Sequence, residues 1–288
     1  MERVHIGQKL NLEDIIRSDW QKKYAEPSLL GSMLKECGVA FVEFTISAET
    51  DVSVVCNLAG VFADAGLFVS LDFQSNRFSP EIFNPESNSY FIEWLRTAQS
   101  VGNITKVPVP CVFHCGLGSS VVQKRHQEVL SISRDFFFWL DKMTLEGFGN
   151  VVGLCEAGSF CAENKKQQEN WGCCLRVIEG TNLGICWDFG HRCLSSTGRA
   201  DMGFPGENFL AIVNHVHAYD AQVSDSGTVE VIPLADGMIP WREYCSLLAR
   251  HDYDSTVLLK VNPEYYSGLR TFLQGVTDGV NKLRIFFS

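Results

Sequence analysis

Short apolar runs that end in a polar residue recur along this chain, each followed by a loop and an amphipathic helix. That alternation restricts the available folds more than any other feature. Val39-Ala40-Phe41-Val42-Glu43-Phe44 follows a short helix over 28–37 that stops at Gly38, and Leu67 to Phe73 follows a helix over 50–65 that stops at Gly66. From about Asn88 to Val101, Phe91, Trp94, Leu95 and Ala98 share one stripe, as expected of a helix lying on a sheet. The runs Val107 to His114, Val151 to Glu156, Leu183 to Asp188, Ile212 to His217 and Thr256 to Val261 continue the series. Helices are expected at Ser119 to Leu145, 164–179, 206–211, Trp241 to Arg250 and from Pro263 onward, proline being suited to a first helical turn. With Val4-His5-Ile6 as the opening strand the count is eight.

Near-continuous apolar strands separated by helices imply a parallel sheet covered on both faces. Eight units within 288 residues favour the closed (β/α)8 TIM barrel of the α/β class. An open doubly wound sheet is the alternative, weakened in its nucleotide-binding form by the lack of a G-x-G-x-x-G after the first strand. At 45% hydrophobic residues the chain can bury one large core. The looser segments 74–89 and 194–206 are flanked by similar apolar runs, so residues 1–288 are expected to form one barrel domain.

The charge balance narrows the function. With 24 basic and 34 acidic residues, formal net charge −10, and no basic stripe interleaved with aromatics, a nucleic-acid partner is disfavoured. No apolar run has the length of a membrane span, and Met1-Glu2-Arg3 leads into a mixed polar segment, so a cytoplasmic protein with no membrane partner is expected. The 11 cysteines are odd in number and lie mostly in apolar elements, which suits small core residues in a reducing compartment. Cys173-Cys174 does not make a zinc-thiolate pair. The aromatic load of the outer helices, including Phe136-Phe137-Phe138-Trp139-Leu140, is compatible with a homo-oligomer.

In a parallel barrel the C-terminal strand ends converge on one mouth. Glu43, Asp72, His114, Glu156, Asp188 and His217 stand at such ends, with Lys260 on the last strand. Each has a plain structural alternative. Glu43 could accept backbone N–H bonds from a loop, Asp72 could form a turn before Gln74-Ser75-Asn76, and His114 could be a hydrogen-bonded loop histidine. Glu156 is harder to explain so, because a carboxylate ending an apolar strand is costly unless paired with a cation. Asp188 and His191 form a D-x-x-H that can turn both side chains towards the mouth. Strand alternation puts His215 and His217 on one side, with His217 nearer the mouth, His215 in a core role and Asp220 as the carboxylate that could fix the His217 tautomer. Two carboxylates and an imidazole suit Mn²⁺, Mg²⁺, Co²⁺ or Zn²⁺, which can polarise a carbonyl and its neighbouring hydroxyl while a carboxylate moves a proton.

These segments resemble the xylose-isomerase-like superfamily, above all its sugar and sugar-phosphate isomerases and epimerases. The similarity runs through Gly38 to Glu43, Leu154-Cys155-Glu156, Trp187 to His191 and His215 to Asp220, and more weakly through Ile232 to Trp241. It implies a metal-dependent barrel acting on a small polyhydroxylated substrate. Glu156, Asp188 and His217 would be metal ligands, Glu156 also the base, and His191 a donor to a substrate oxygen. Glu43, His114, Trp187 and Trp241 would line the substrate, with Phe73 as a further apolar wall. The family's remaining ligand, a glutamate closing the last strand, is here Lys260, so the two-glutamate proton shuttle does not carry over intact. Three readings stay open: the metal-dependent isomerase or epimerase, a Lys260-dependent base or imine-forming enzyme, and a non-catalytic sugar-binding or regulatory barrel with a degenerate metal site. Apurinic-site endonucleases share the barrel, but Val229 and Val231 replace a ligand pair they require. The loop Gly116 to Ser120, ahead of a helix, is a candidate phosphate site.

Overall fold

A computed structural model describes residues 4–46, 50–73, 84, 89–115, 126–157, 167–190, 203–225 and 229–288. Seven strands follow one another along the chain: β1 (His5–Asn11), β2 (Phe41–Ile46), β3 (Phe68–Phe73), β4 (Val109–Cys115), β5 (Val151–Ala157), β6 (Gly184–Asp188) and β7 (Val213–Ala218). A hairpin comes next, β8 (Asp220–Val223) against β9 (Val229–Ile232), and then β10 (Thr256–Leu259). β1 to β7 and β10 close into a parallel barrel in the order β1-β10-β7-β6-β5-β4-β3-β2, the (β/α)8 architecture.

The helices are α1 (Leu12–Ile15), α2 (Ser18–Lys23), α3 (Pro27–Glu36), α4 (Val52–Asp64), α5 (Ser89–Thr105), α6 (His126–Glu146), α7 (Gln167–Ile178), α8 (Glu207–Leu210), α9 (Trp241–Arg250) and α10 (Leu269–Phe287). Their apolar faces cover the outside of the barrel. In α10, Phe272, Val276, Val280, Leu283 and Phe287 are buried at three- and four-residue spacing, with the helix against β1 and β10. In α6, Phe136, Phe137 and Leu140 are buried, whereas Phe138 is exposed beneath the Arg134 guanidinium. Much of the aromatic load read as compatible with an oligomer is thus spent within the chain.

Alternation along the strands separates two cores. Outward residues such as Phe44, which meets Phe62 of α4 edge-on at 5.7 Å, join the large layer between barrel and helices. Inward residues make a separate floor. Val112, Leu154 and Cys186 pack together there, and Phe41 lies flat on Phe68 with centroids 5.0 Å apart. Gly7 makes room for the Phe41 ring, since a Cβ at that position would lie 2.4 Å from it.

Several elements differ from the sequence-based expectation: α1 and α2 were not expected, α10 starts at Leu269 after a 3-10 turn over Pro263–Tyr265, and two further differences bear on the site. β1 is seven residues long and extends to Asn11, which carries Gln8 and Lys9 into the barrel wall, Lys9 opposite Glu43. The β8–β9 hairpin was not expected either. It is anchored by Asp220, whose carboxylate accepts the N–H groups of Ala221, Gly237 and Ile239 at 2.7, 2.7 and 3.0 Å. The carboxylate assigned to orient His217 therefore holds a loop instead.

Candidate active site

The polar residues lie above the apolar floor in two tiers. Glu43, Ser70 and His215 form the lower one. Glu43 is fully buried, and its Oε2 accepts from Ser70 Oγ and His215 Nε2, both at 2.9 Å, while Oε1 faces His217 Nε2 at 3.1 Å. Burial alone would raise the Glu43 carboxyl, but the His217 and His215 imidazoles outweigh it and hold the group well below the usual carboxylate range. Burial lowers the His215 pKa; its Nε2 faces Glu43, and its Nδ1 lies 2.6 Å from the Thr256 hydroxyl, which also donates to Asn214 O at 3.1 Å. Glu43 is thus the carboxylate behind His217, and it binds imidazoles rather than a loop backbone.

The upper tier holds Asp72, His114, Glu156, Asp188, His217 and Lys260. Asp72 is no turn residue: it is fully buried on β3 and accepts His114 Nε2–H at 2.9 Å. The same nitrogen is 3.5 Å from Glu156 Oε2. Burial opposes charge on His114, yet the Glu156 and Asp72 carboxylates raise its pKa, favouring an imidazolium. Glu156, fully buried at the end of β5, also lies 3.2 Å from His217 Nδ1 and accepts from the Cys186 thiol at 3.7 Å. Asp188 is oriented by its neighbours. Its Oδ1 accepts from Gly190 N–H at 2.9 Å and Tyr219 O–H at 2.6 Å, leaving Oδ2 for the site.

Lys260 sits just beyond β10, its backbone N–H extending the ladder to Ala218 O. Its Nζ donates to Asp188 Oδ2 at 2.9 Å, lies 2.9 Å from His217 Nδ1 and stands 3.6 Å from Glu156 Oε1. Burial and the Lys260 charge oppose a charge on His217, yet Cys186, Glu43 and Glu156 raise its pKa well above the ordinary imidazole value. Burial works against charge on Lys260, but Asp188, Glu156 and Asp72 together raise its pKa well above the ordinary value. Lys9, inward on β1, moves the other way: burial first, and then the Lys260 charge, lower its pKa.

Among the described residues, four overlapping triads bring one ligand atom from each residue within 4.8 Å of the others: Glu156–Asp188–His217, Asp72–His114–Glu156, Glu43–Asp72–His217 and Cys186–His215–His217. The first is the ligand set read from the sequence. A buried cluster of two carboxylates and an imidazole matches a divalent-metal site in chemistry. Lys260 stands within the same group of donors, which makes this a modified site.

The remaining assignments divide. His114 is part of the cluster, whereas His191 and the loop Gly116 to Ser120 lie outside the described residues. The two tryptophans are not brought to the mouth. Trp187 alternates outward from Cys186 and Asp188, packing on Trp171, Phe209 and Tyr244, and Trp241 donates Nε1–H to Ala235 O and meets Phe286. Phe73 likewise faces outward, stacked on Phe113 and edge-on to Trp94. Lys9, Ser70 and Cys186 were missed. Alternation back from Glu156 and Asp188 would have found Cys186, and an opening strand read beyond Ile6 would have found Lys9.

No family model matches the chain, and no curated protein matches it either. Solved structures do. The IOLI protein with a bound zinc atom aligns over 98% of this chain and 99% of its own, at 15% identity and TM-score 0.66. A D-tagatose 3-epimerase-like protein aligns over 97% of both chains at 14% identity and TM-score 0.63. The xylose isomerase domain protein from Planctomyces limnophilus aligns over 98% and 95% at 11% identity and TM-score 0.62. At such identities the likeness is one of fold, and it spans nearly the whole chain. This protein therefore shares the closed (β/α)8 barrel fold of these structures, with a buried His/Glu/Asp/Cys cluster inside the barrel and Lys260 set among the ligand atoms.

Proposed function

We propose that this chain is an isomerase or epimerase of a small polyhydroxylated hydroxy-carbonyl compound. The observation that carries the reading is the convergence of a carboxylate base, an imidazolium and a cation over the barrel floor, at the face where barrel enzymes work. Such reactions remove a proton from carbon beside a carbonyl and return it to the neighbouring carbon or the opposite face. Negative charge collects meanwhile on the carbonyl oxygen, so a base and a positive group must stand on either side of the reacting atoms.

Glu156 is the base in this reading. His114 and His217 stand near its Oε2 and Lys260 near its Oε1. The developing oxyanion takes the position beside Asp188 and Lys260. A divalent metal held there by Glu156, Asp188 and His217 would supply Lewis acidity, whereas the Lys260 ammonium supplies N–H donation. His114 contributes a second donor, and Glu43 supports His217 from beneath without touching substrate. Solved barrels of the same fold include D-psicose 3-epimerase with D-tagatose, at 11% identity and TM-score 0.63, which directs the choice of test compounds to ketoses. An imine at Lys260 fits less well, because an ammonium held by two carboxylates has no lone pair for attack.

The test is incorporation of solvent deuterium at carbon across a panel of ketoses, aldoses and their phosphates, read by mass spectrometry. Wild type should exchange at one position of one compound class, and Glu156→Gln should slow that exchange by about 100-fold or more. Sugar-induced thermal stabilisation with no exchange in any compound would instead identify a binding protein.

A further inference from the structure

The Glu156–Asp188–His217 donor set already has a cation. We propose that the Lys260 ammonium is the resident cation of this site, occupying the position of a divalent metal, so that the barrel holds its substrate's oxygen by N–H donation from a side chain. The role in catalysis rests on the isomerase or epimerase reading; the occupancy does not.

The geometry carries it. An ammonium has three donors and no acceptor. Lys260 Nζ lies 2.9 Å from Asp188 Oδ2 and His217 Nδ1 and 3.6 Å from Glu156 Oε1, the last beyond hydrogen-bond reach, so the ammonium stands among the triad whose chemistry matches a metal and keeps an N–H for a substrate oxygen. Its stem enters from the strand between β1 and β7 in the closed barrel, at the end of β10. Asp188 Oδ1 accepts from Gly190 N–H and the Tyr219 hydroxyl, and its Oδ2 accepts from Lys260 Nζ.

A divalent ion sharing these donors would lie at about 2.0–2.2 Å from each of them. Such an ion would compete with Nζ for the same donor atoms, and two cations drawn to one set of donors repel strongly. Metal entry thus requires Lys260 to leave two carboxylates and an imidazole while nine-tenths of its side chain is already withdrawn from solvent, the side chain being 12% exposed. Were Lys260 a glutamate, the same mouth would hold three carboxylates around one point and would need an external cation.

Calorimetric titration with Mn²⁺ tests the proposal without any substrate, so its outcome stands whether or not the chain isomerises sugars. Metal-stripped wild type should show no stoichiometric uptake at micromolar to millimolar Mn²⁺. Lys260→Glu changes the local charge by two units and should bind at least about tenfold tighter than wild type, with Lys260→Met between them. Near-ultraviolet circular dichroism checks that each variant is folded. Uptake of one Mn²⁺ equivalent by wild type at micromolar concentration overturns the proposal whatever the variants do. So does failure of folded Lys260→Glu and Lys260→Met to bind, because the three donors would then not form a cation site. A wild type that takes up no metal yet fails to exchange deuterium into any sugar leaves the lysine as the resident cation and removes only the isomerase reading.

Discussion

Glu43 shows how one buried side chain can set the state of several others. It binds the Ser70 hydroxyl and the His215 ring through one oxygen and faces the His217 ring with the other, all out of solvent. Removing one partner from such a network leaves the rest desolvated and unpaired, which costs more than the pairing itself contributes. Glu43→Leu should therefore lower the unfolding free energy by about 3–5 kcal/mol in urea titrations. Glu43→Gln should cost about 1–3 kcal/mol, since its amide can still accept from His215 but presents N–H or oxygen wrongly to one neighbour. Equal midpoints for wild type and Glu43→Leu would show that the pair contributes nothing. Glu43 was legible as a strand-end residue of the site, but its role was not: the partners come from β3 and β7, and sequence distance gives no hint of which carboxylate meets which ring.

At the scale of elements, the same residue type is constrained in one place and free in another. Gly7 of β1 faces the Phe41 ring so closely that a methyl group would overlap it, whereas nothing stands within 4 Å of the Cβ position at Gly60 of α4. Gly7→Ala should thus push Phe41 off the barrel floor and destabilise the protein by about 1–3 kcal/mol or more. Gly60→Ala should stabilise it by about 0.5–1 kcal/mol through helix propensity alone. Melting temperatures of the two single variants, shifting in opposite directions, are the check. The strands and most helices were legible from apolar periodicity, because burial on both faces leaves that imprint. The β8–β9 hairpin was not, because Asp220 and the loop around Gly237 hold it in place, and a carboxylate accepting backbone N–H groups looks in sequence like any other aspartate.

Over the whole molecule, burial determines how the protein responds to alkali. Cys111 and Cys245 have thiols raised far above their ordinary value by burial, and burial, followed by the Tyr265 and Asp278 charges, pushes Tyr266 up to about 12. Groups kept protonated in the native state but free to ionise when unfolded stabilise the fold fully only below their unfolded pKa values, about 8.5 for a thiol and about 10 for a phenol. As pH rises past each value the unfolded chain releases protons that the native one retains, and stability falls. The melting temperature in reducing buffer should decline steadily from pH 8 to 10.5, and Cys245→Val should flatten the decline. A melting temperature independent of pH over that range would mean these thiols ionise as readily folded as unfolded.

The sequence by itself determined the barrel and the identity of the residues at its mouth. Strand and helix periodicities are local, and a parallel barrel brings every strand end to one place whatever lies between them. The closed barrel order and the convergence of Glu156, Asp188, His217 and Lys260 follow from that geometry. Tertiary structure alone decided the partnerships. Asp220 turned to its own loop, Trp187 and Trp241 to the outer layer, and Glu43 to the histidines, because an angle of a strand or the reach of a side chain chooses among neighbours that are equally distant in sequence. The placement of Lys260 was decided in the same way. Its charge could be read from the sequence as a departure, but only the distances of 2.9, 2.9 and 3.6 Å show that the lysine points into the ligand atoms rather than away from them.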